Sequence, residues 1–184
     1  MTETARLLVA SSFFALSFVS PGQLAAQTRP ALTFPMPGIA TFHPVTTTVA
    51  LGSDAAPEAM PALKRAGFDV VIVIREDKEE GYDRQQSERA AADAGLRFIA
   101  IPFTRARPDP AAARKFLEVI AAPENSYAYV YCHQGPRAAT MWLIKRVRQD
   151  NWTLARAMAE AESLGLSRPE LKQFATEFLA ESRR

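Results

Sequence analysis

Residues 129–140 read Tyr129-Val130-Tyr131-Cys132-His133-Gln134-Gly135-Pro136-Arg137-Ala138-Ala139-Thr140, and the order of chemistries in this stretch decides the fold. An apolar, aromatic and β-branched run stops at a cysteine, a Gly-Pro turn follows, and an arginine opens a helical pattern. A strand feeding a helix through a short turn is the repeating unit of parallel α/β sheets. The turn falls outside the carboxyl end of the strand, where such sheets place their ligands. There the helix N-terminus offers unpaired N–H groups and a positive partial charge. Gly135 lets the loop backbone curl so that its amides converge on an anion. Arg137 adds a fork of donors matched to phosphate or sulfate oxygens. The same field favours thiolate over thiol at Cys132. Cys132 is therefore the candidate nucleophile and Arg137 the candidate oxyanion clamp. His133, Gln134, Gly135, Pro136 and Ala138 complete the candidate substrate-binding loop.

Outward from this loop the chain alternates strands and helices. Val70 to Ile74 is continuously apolar and β-branched, the pattern of a strand covered on both faces, and Arg75 ends it at the same sheet edge as Cys132. Arg75 is thus a candidate substrate contact or a brace for the loop. Val45 to Leu51 and Phe98 to Ile101 read as further strands. Helices are expected over Pro57–Ala66 (closed by Gly67), from an Asp83 cap through Ala94, and from Asp109-Pro110 through Ile120. Ala138–Arg148, Trp152–Leu164 and Pro169–Arg183 read as three closing helices, the last behind a Ser167/Glu170 capping box. Trp142, Leu143 and Val147 mark a core face, and Glu76-Asp77-Lys78-Glu79-Glu80 reads as a solvated loop. The fold class is α/β: a parallel-rich central sheet flanked by helices, with a helical C-terminal end.

The first 26 residues fit a signal peptide: Arg6, the apolar or small run Leu7 to Ser20, then Pro21-Gly22 and a small-residue exit at Ala25-Ala26. The apolar run is short for a membrane span, which needs about 20 residues. Residues 27–44, with four prolines, read as an extended lead-in, and 45–184 as the domain. A periplasmic or secreted protein without stable membrane insertion after signal removal is the expectation. The chain carries 22 Lys plus Arg against 20 Asp plus Glu, a net charge of +2, which gives no footprint for nucleic acid. One cysteine excludes an internal disulfide and a Cys-rich zinc site, and two histidines are too few for a histidine-built metal centre. No metal or cofactor is implied.

Val45 to Leu166 resembles the phosphatase-like domain of beta-lactamase hydrolase-like proteins, a branch of the dual-specificity and tyrosine phosphatase superfamily. The resembling pieces are Thr48-Val49-Ala50-Leu51-Gly52, Leu63-Lys64-Arg65-Ala66-Gly67-Phe68-Asp69-Val70-Val71-Ile72, Ile74-Arg75, Ala91-Ala92-Asp93-Ala94-Gly95-Leu96, Ile101-Pro102, and the Cys132 loop followed by Trp142. The resemblance implies a cysteine-phosphatase-like fold acting on a small anionic or phosphorylated substrate. Cys132 would attack phosphorus, Arg137 and the loop amides would hold the transferred group, and water would release it. It also implies a leaving-group acid on the loop after the Phe98–Ile101 strand. Asp109 is the single carboxylate of Phe103–Asp109 and the candidate, although Asp before Pro110 equally suits a helix N-cap. Arg105 flanks the mouth on the same loop.

The sequence departs from the tyrosine-phosphatase pattern in three ways. Four residues rather than five separate Cys132 from Arg137, Pro136 brings no N–H, and Ala138 replaces the usual hydroxyl residue, with Thr140 the nearest substitute. A four-residue interval also resembles the active loop of rhodanese-like sulfurtransferases. A persulfide-forming sulfurtransferase, and an idle anion-binding domain, are therefore the alternatives.

Overall fold

The computed structural model describes residues 35–181. The expected signal segment and most of the lead-in lie outside these residues. The strands are β1 (Phe42–Pro44), β2 (Val49–Gly52), β3 (Val70–Val73), β4 (Arg97–Ala100) and β5 (Ala128–Tyr131). The helices are α1 (Met60–Arg65), α2 (Arg84–Asp93), α3 (Pro110–Ala121), α4 (Pro136–Arg148), α5 (Leu154–Ser163) and α6 (Pro169–Glu181). The sheet order is β1-β2-β5-β3-β4, with β1 antiparallel to β2 and every other pairing parallel. This is the expected parallel-rich α/β architecture.

β5 sits in the middle, its last residue Tyr131 in register with Gly52 of β2 and Val73 of β3. Strands buried on both faces have no polar alternation, which is why β3 reads as an unbroken Val-Val-Ile-Val. Val70 and Ile72 face one core, shared with Val130, Cys132 and residues of α3 to α6. Val71 and Val73 face a second, shared with Tyr129, Tyr131 and residues of α1 and α2. In the second core Phe42 stacks on Tyr129 and Tyr129 on Tyr131, at 5.4 and 5.5 Å between ring centres.

Three local expectations are corrected. The lead-in is not irregular to residue 44: Phe42–Pro44 pairs with β2. Gly52 makes this possible, since a Cβ there would lie 2.0 Å from the Thr41 carbonyl oxygen. The strand expected from Val45 starts instead at Val49. Thr46 Oγ1 accepts from the Val49 and Thr48 amides at 2.9 and 3.2 Å, and the Val45 amide donates to the Val49 carbonyl, so residues 45–48 form a turn. The segment from Pro57 begins as a 3₁₀ turn, Pro57–Ala59, before α1. Asp83 caps α2 as expected, its Oδ1 accepting from the Gln86 amide at 2.9 Å. Among the described residues no helix is long and apolar enough to cross a membrane.

Candidate active site

β5 delivers Cys132 to the carboxyl edge of the sheet, and α4 starts four residues later. The Cys132 amide donates to Gly52 O at 3.4 Å, and the Asp54 amide donates to His133 O at 3.2 Å, so β2 and the segment after it pin the loop. Gly135 has φ +109°, a region that side chains rarely tolerate, and this turns its amide back to donate to Cys132 Sγ at 3.1 Å. Cys132 lines a cavity of about 350 Å³ and is only 1% exposed. His133, Gln134, Pro136, Arg137 and Arg105 line the same cavity.

Arg137 points inward. Its Nη1 and Nη2 donate to Glu79 Oε2 and Oε1 at 2.7 and 2.6 Å, and Nη1 also donates to Phe103 O at 3.0 Å. Burial alone would lower the guanidinium pKa, but the Glu79 carboxylate and the neighbouring Cys132 sulfur outweigh it and raise it above its ordinary value. Burial likewise works against the charged form of Glu79. Its hydrogen bonds to Arg137 and the charges of Arg137 and Arg75 prevail, and hold the carboxyl below its usual value. Behind Glu79 lies Arg75, 1% exposed, with Nε 3.3 Å from Glu79 Oε1, Nη1 on Asp54 Oδ2 and Nη2 donating to Glu80 O at 3.2 Å. Its guanidinium also covers the Tyr82 ring at 4.6 Å. Asp54 Oδ2 then meets His133 Nδ1 at 3.0 Å. Arg137, Glu79, Arg75 and Asp54 thus form one chain of alternating charge around the cysteine loop, with His133 hydrogen-bonded at its end.

Three candidates stand elsewhere. Arg75 braces the loop through Asp54 and Glu79 rather than lining the cavity. Ala138 is fully buried in the core, because the first turn of α4 faces the sheet there. Asp109 caps α3, its Oδ1 accepting from the Ala111 amide at 2.8 Å, and lines a neighbouring depression with Arg107 rather than the Cys132 cavity. The Thr140 hydroxyl donates to Pro136 O at 2.8 Å and is not a substitute for the missing loop hydroxyl.

The acidic run 76–80 is not uniformly solvated, and Glu79 is its exception. A carboxylate four residues beyond a strand-ending arginine was the available signal. Asp54 and Arg168, the latter on the cavity wall just before α6, carried no sequence signal of their own.

A parallel sheet presenting a cysteine, a glycine-turned amide and an inward arginine at a helix N-terminus is the arrangement of the cysteine-phosphatase fold. Residues 41–148 match the family model of the phosphatase-like domain of beta-lactamase hydrolase-like proteins, and the chain belongs to that family of phosphatase-like hydrolases. A DUF442 protein of Shewanella putrefaciens CN-32 classed as a phosphatase has a similar structure, with 20% identity, TM-score 0.67, and coverage of 78% of this chain and 92% of that one. The core catalytic domain of the PP-IP phosphatase SIW14 from S. cerevisiae is similar at 19% identity and TM-score 0.62, covering 73% and 83%. PTPMT1 is similar at 23% identity and TM-score 0.59, covering 78% and 99%. At these identities the likeness is one of fold. No curated protein matches the chain.

Proposed function

We propose that the protein hydrolyses phosphate monoesters through a phosphocysteine on Cys132. In the first step Sγ forms a bond to phosphorus while the bond from phosphorus to the ester oxygen breaks. In the second, water attacks phosphorus and the thiolate leaves. The observation that carries this reading is the Gly135 amide aimed at Sγ in the cavity that Arg137 enters. Such a donor stabilises the thiolate, and the first-turn amides of α4 add positive potential. A guanidinium has five N–H donors. Glu79 and Phe103 take both hydrogens of Nη1 and one of Nη2. The Nε–H and the remaining Nη2–H share one edge of the plane and supply a bidentate grip for two phosphoryl oxygens. Glu79 fixes that edge without competing for it. This is electrostatic preorganisation, which supplies most of what phosphoryl transfer needs.

Export belongs to the same proposal and is supported by the Arg6 and Leu7–Ser20 pattern. N-terminal sequencing of protein recovered outside the cytoplasm tests it.

The activity test is turnover of an aryl phosphate by wild type and Cys132→Ser, in parallel with thiosulfate and intact-protein mass. Loss of phosphate release in Cys132→Ser is expected. A mass gain of one sulfur on Cys132 without phosphatase activity would replace this reading with sulfur transfer. Anion binding with no turnover of either substrate would leave only a binding domain.

A further inference from the structure

The cavity holds the parts for attack on phosphorus but needs a group that protonates the leaving oxygen. Asp109 does not line it, and Glu79 is held ionised between two guanidinium groups. His133 does line it, one residue from the nucleophile, with its side chain 55% exposed. Its Nδ1 is 3.0 Å from Asp54 Oδ2, the same oxygen that meets the buried Arg75. A carboxylate paired with arginine only accepts, so Nδ1 carries a hydrogen and donates it to Asp54. The proton that can be exchanged is then on Nε2. A carboxylate that fixes an imidazole tautomer in this way is how a histidine is prepared for proton transfer.

On the phosphomonoesterase reading above, we propose that His133, oriented by Asp54, is the acid and base of the reaction. As Sγ bonds to phosphorus and the ester P–O bond breaks, the imidazolium gives its Nε2 proton to the departing oxygen, which leaves as a neutral alcohol. The neutral imidazole then takes a proton from the water that attacks the phosphocysteine. The thiolate departs, inorganic phosphate is released and the imidazolium is restored. His133 is the catalytic residue in this scheme, and Asp54 is a positioning residue.

The test is a series of aryl phosphates whose leaving phenols differ in acidity, assayed with wild type, His133→Gln, Asp54→Asn and Glu76→Gln. Glu76 is included because it is the other carboxylate on the cavity wall. Wild-type kcat/KM should depend weakly on the leaving group. His133→Gln should leave a highly activated nitrated ester nearly unaffected and slow unsubstituted phenyl phosphate by about 10²–10⁴-fold, the usual worth of acid catalysis. Asp54→Asn should steepen the dependence less, since the imidazole remains but is no longer oriented. A merely structural residue would slow all esters by one factor, and that pattern in His133→Gln overturns the proposal. So does a steep dependence confined to Glu76→Gln. If Cys132→Ser abolishes turnover while His133→Gln leaves the dependence unchanged, the phosphatase reading stands and this inference alone falls. No wild-type hydrolysis of any ester would remove both.

Discussion

Replacing Glu79 by Gln removes the negative charge that joins Arg137 to Arg75 while keeping the side chain's size. Both guanidinium groups are poorly hydrated: their side chains are 13% and 1% exposed. Deleting one partner of a buried ion pair costs about 3–5 kcal/mol. Glu79 is itself 25% exposed, and Arg75 retains Asp54, so the cost falls to the bottom of that range or just below it. We expect a loss of about 2–3 kcal/mol, which at about 2–4 °C per kcal/mol in this size class is a fall in Tm of about 4–12 °C. Freed from its two short bonds, Arg137 should also lose its angle to the phosphoryl group and lower kcat/KM by about 10²-fold.

Acid sensitivity gives an independent readout. The folded-state pKa of Glu79 lies below its unfolded value of 4.5. Between the two, the unfolded chain binds more protons, so this contribution to stability is fully present above about pH 4.5 and is lost as pH falls through the folded pKa. Thermal melts from neutral to acid pH should therefore show a shallower acid decline in Glu79→Gln than in wild type. A variant melting within about 1 °C of wild type, with the same acid limb, would refute the argument that Glu79 is an energetic part of the clamp.

Asp109→Ala should cost about 1 kcal/mol through loss of the α3 cap, read by denaturant melts, with kcat/KM preserved; a collapse of activity at full folding would restore Asp109 as the acid. Gly135→Ala forces a side chain onto φ +109°, and should cost about 1–3 kcal/mol while moving its amide off the sulfur. Alkylation of Cys132 by iodoacetamide should then become slower at neutral pH, and an unchanged alkylation profile would show that this amide does not support the thiolate.

What could be read from the sequence was what local chemistry determines. β3 and β5 are continuous apolar strands because both faces are covered, and the cysteine, glycine and arginine that follow β5 are ordered along the chain as they are in space. The Asp83 cap is a three-residue signal and was equally plain. What escaped is non-local. β1 is Phe-His-Pro, a poor strand by composition, and exists because Gly52 lets the backbone at Thr41 approach. The turn at 45–48 comes from a threonine oxygen capturing backbone amides in a run that composition reads as a strand. Glu79 sits among four charged neighbours that give it no distinction, and only closure of the tertiary structure sets it against Arg137, 58 positions away.

The C-terminal helices have a consequence for where this domain physically ends. The match to the family model ends at residue 148, yet Phe174 of α6 packs on Phe103 at 5.3 Å between ring centres, and it is the Phe103 carbonyl that tethers Arg137. Leu171 closes one wall of the cavity, and Arg148 fastens α6 by donating to the carbonyls of Phe178 and Leu179. Helix α6 is a buttress behind the arginine, so a fragment cut at residue 148 would keep every reactive atom and lose the masonry that aims them.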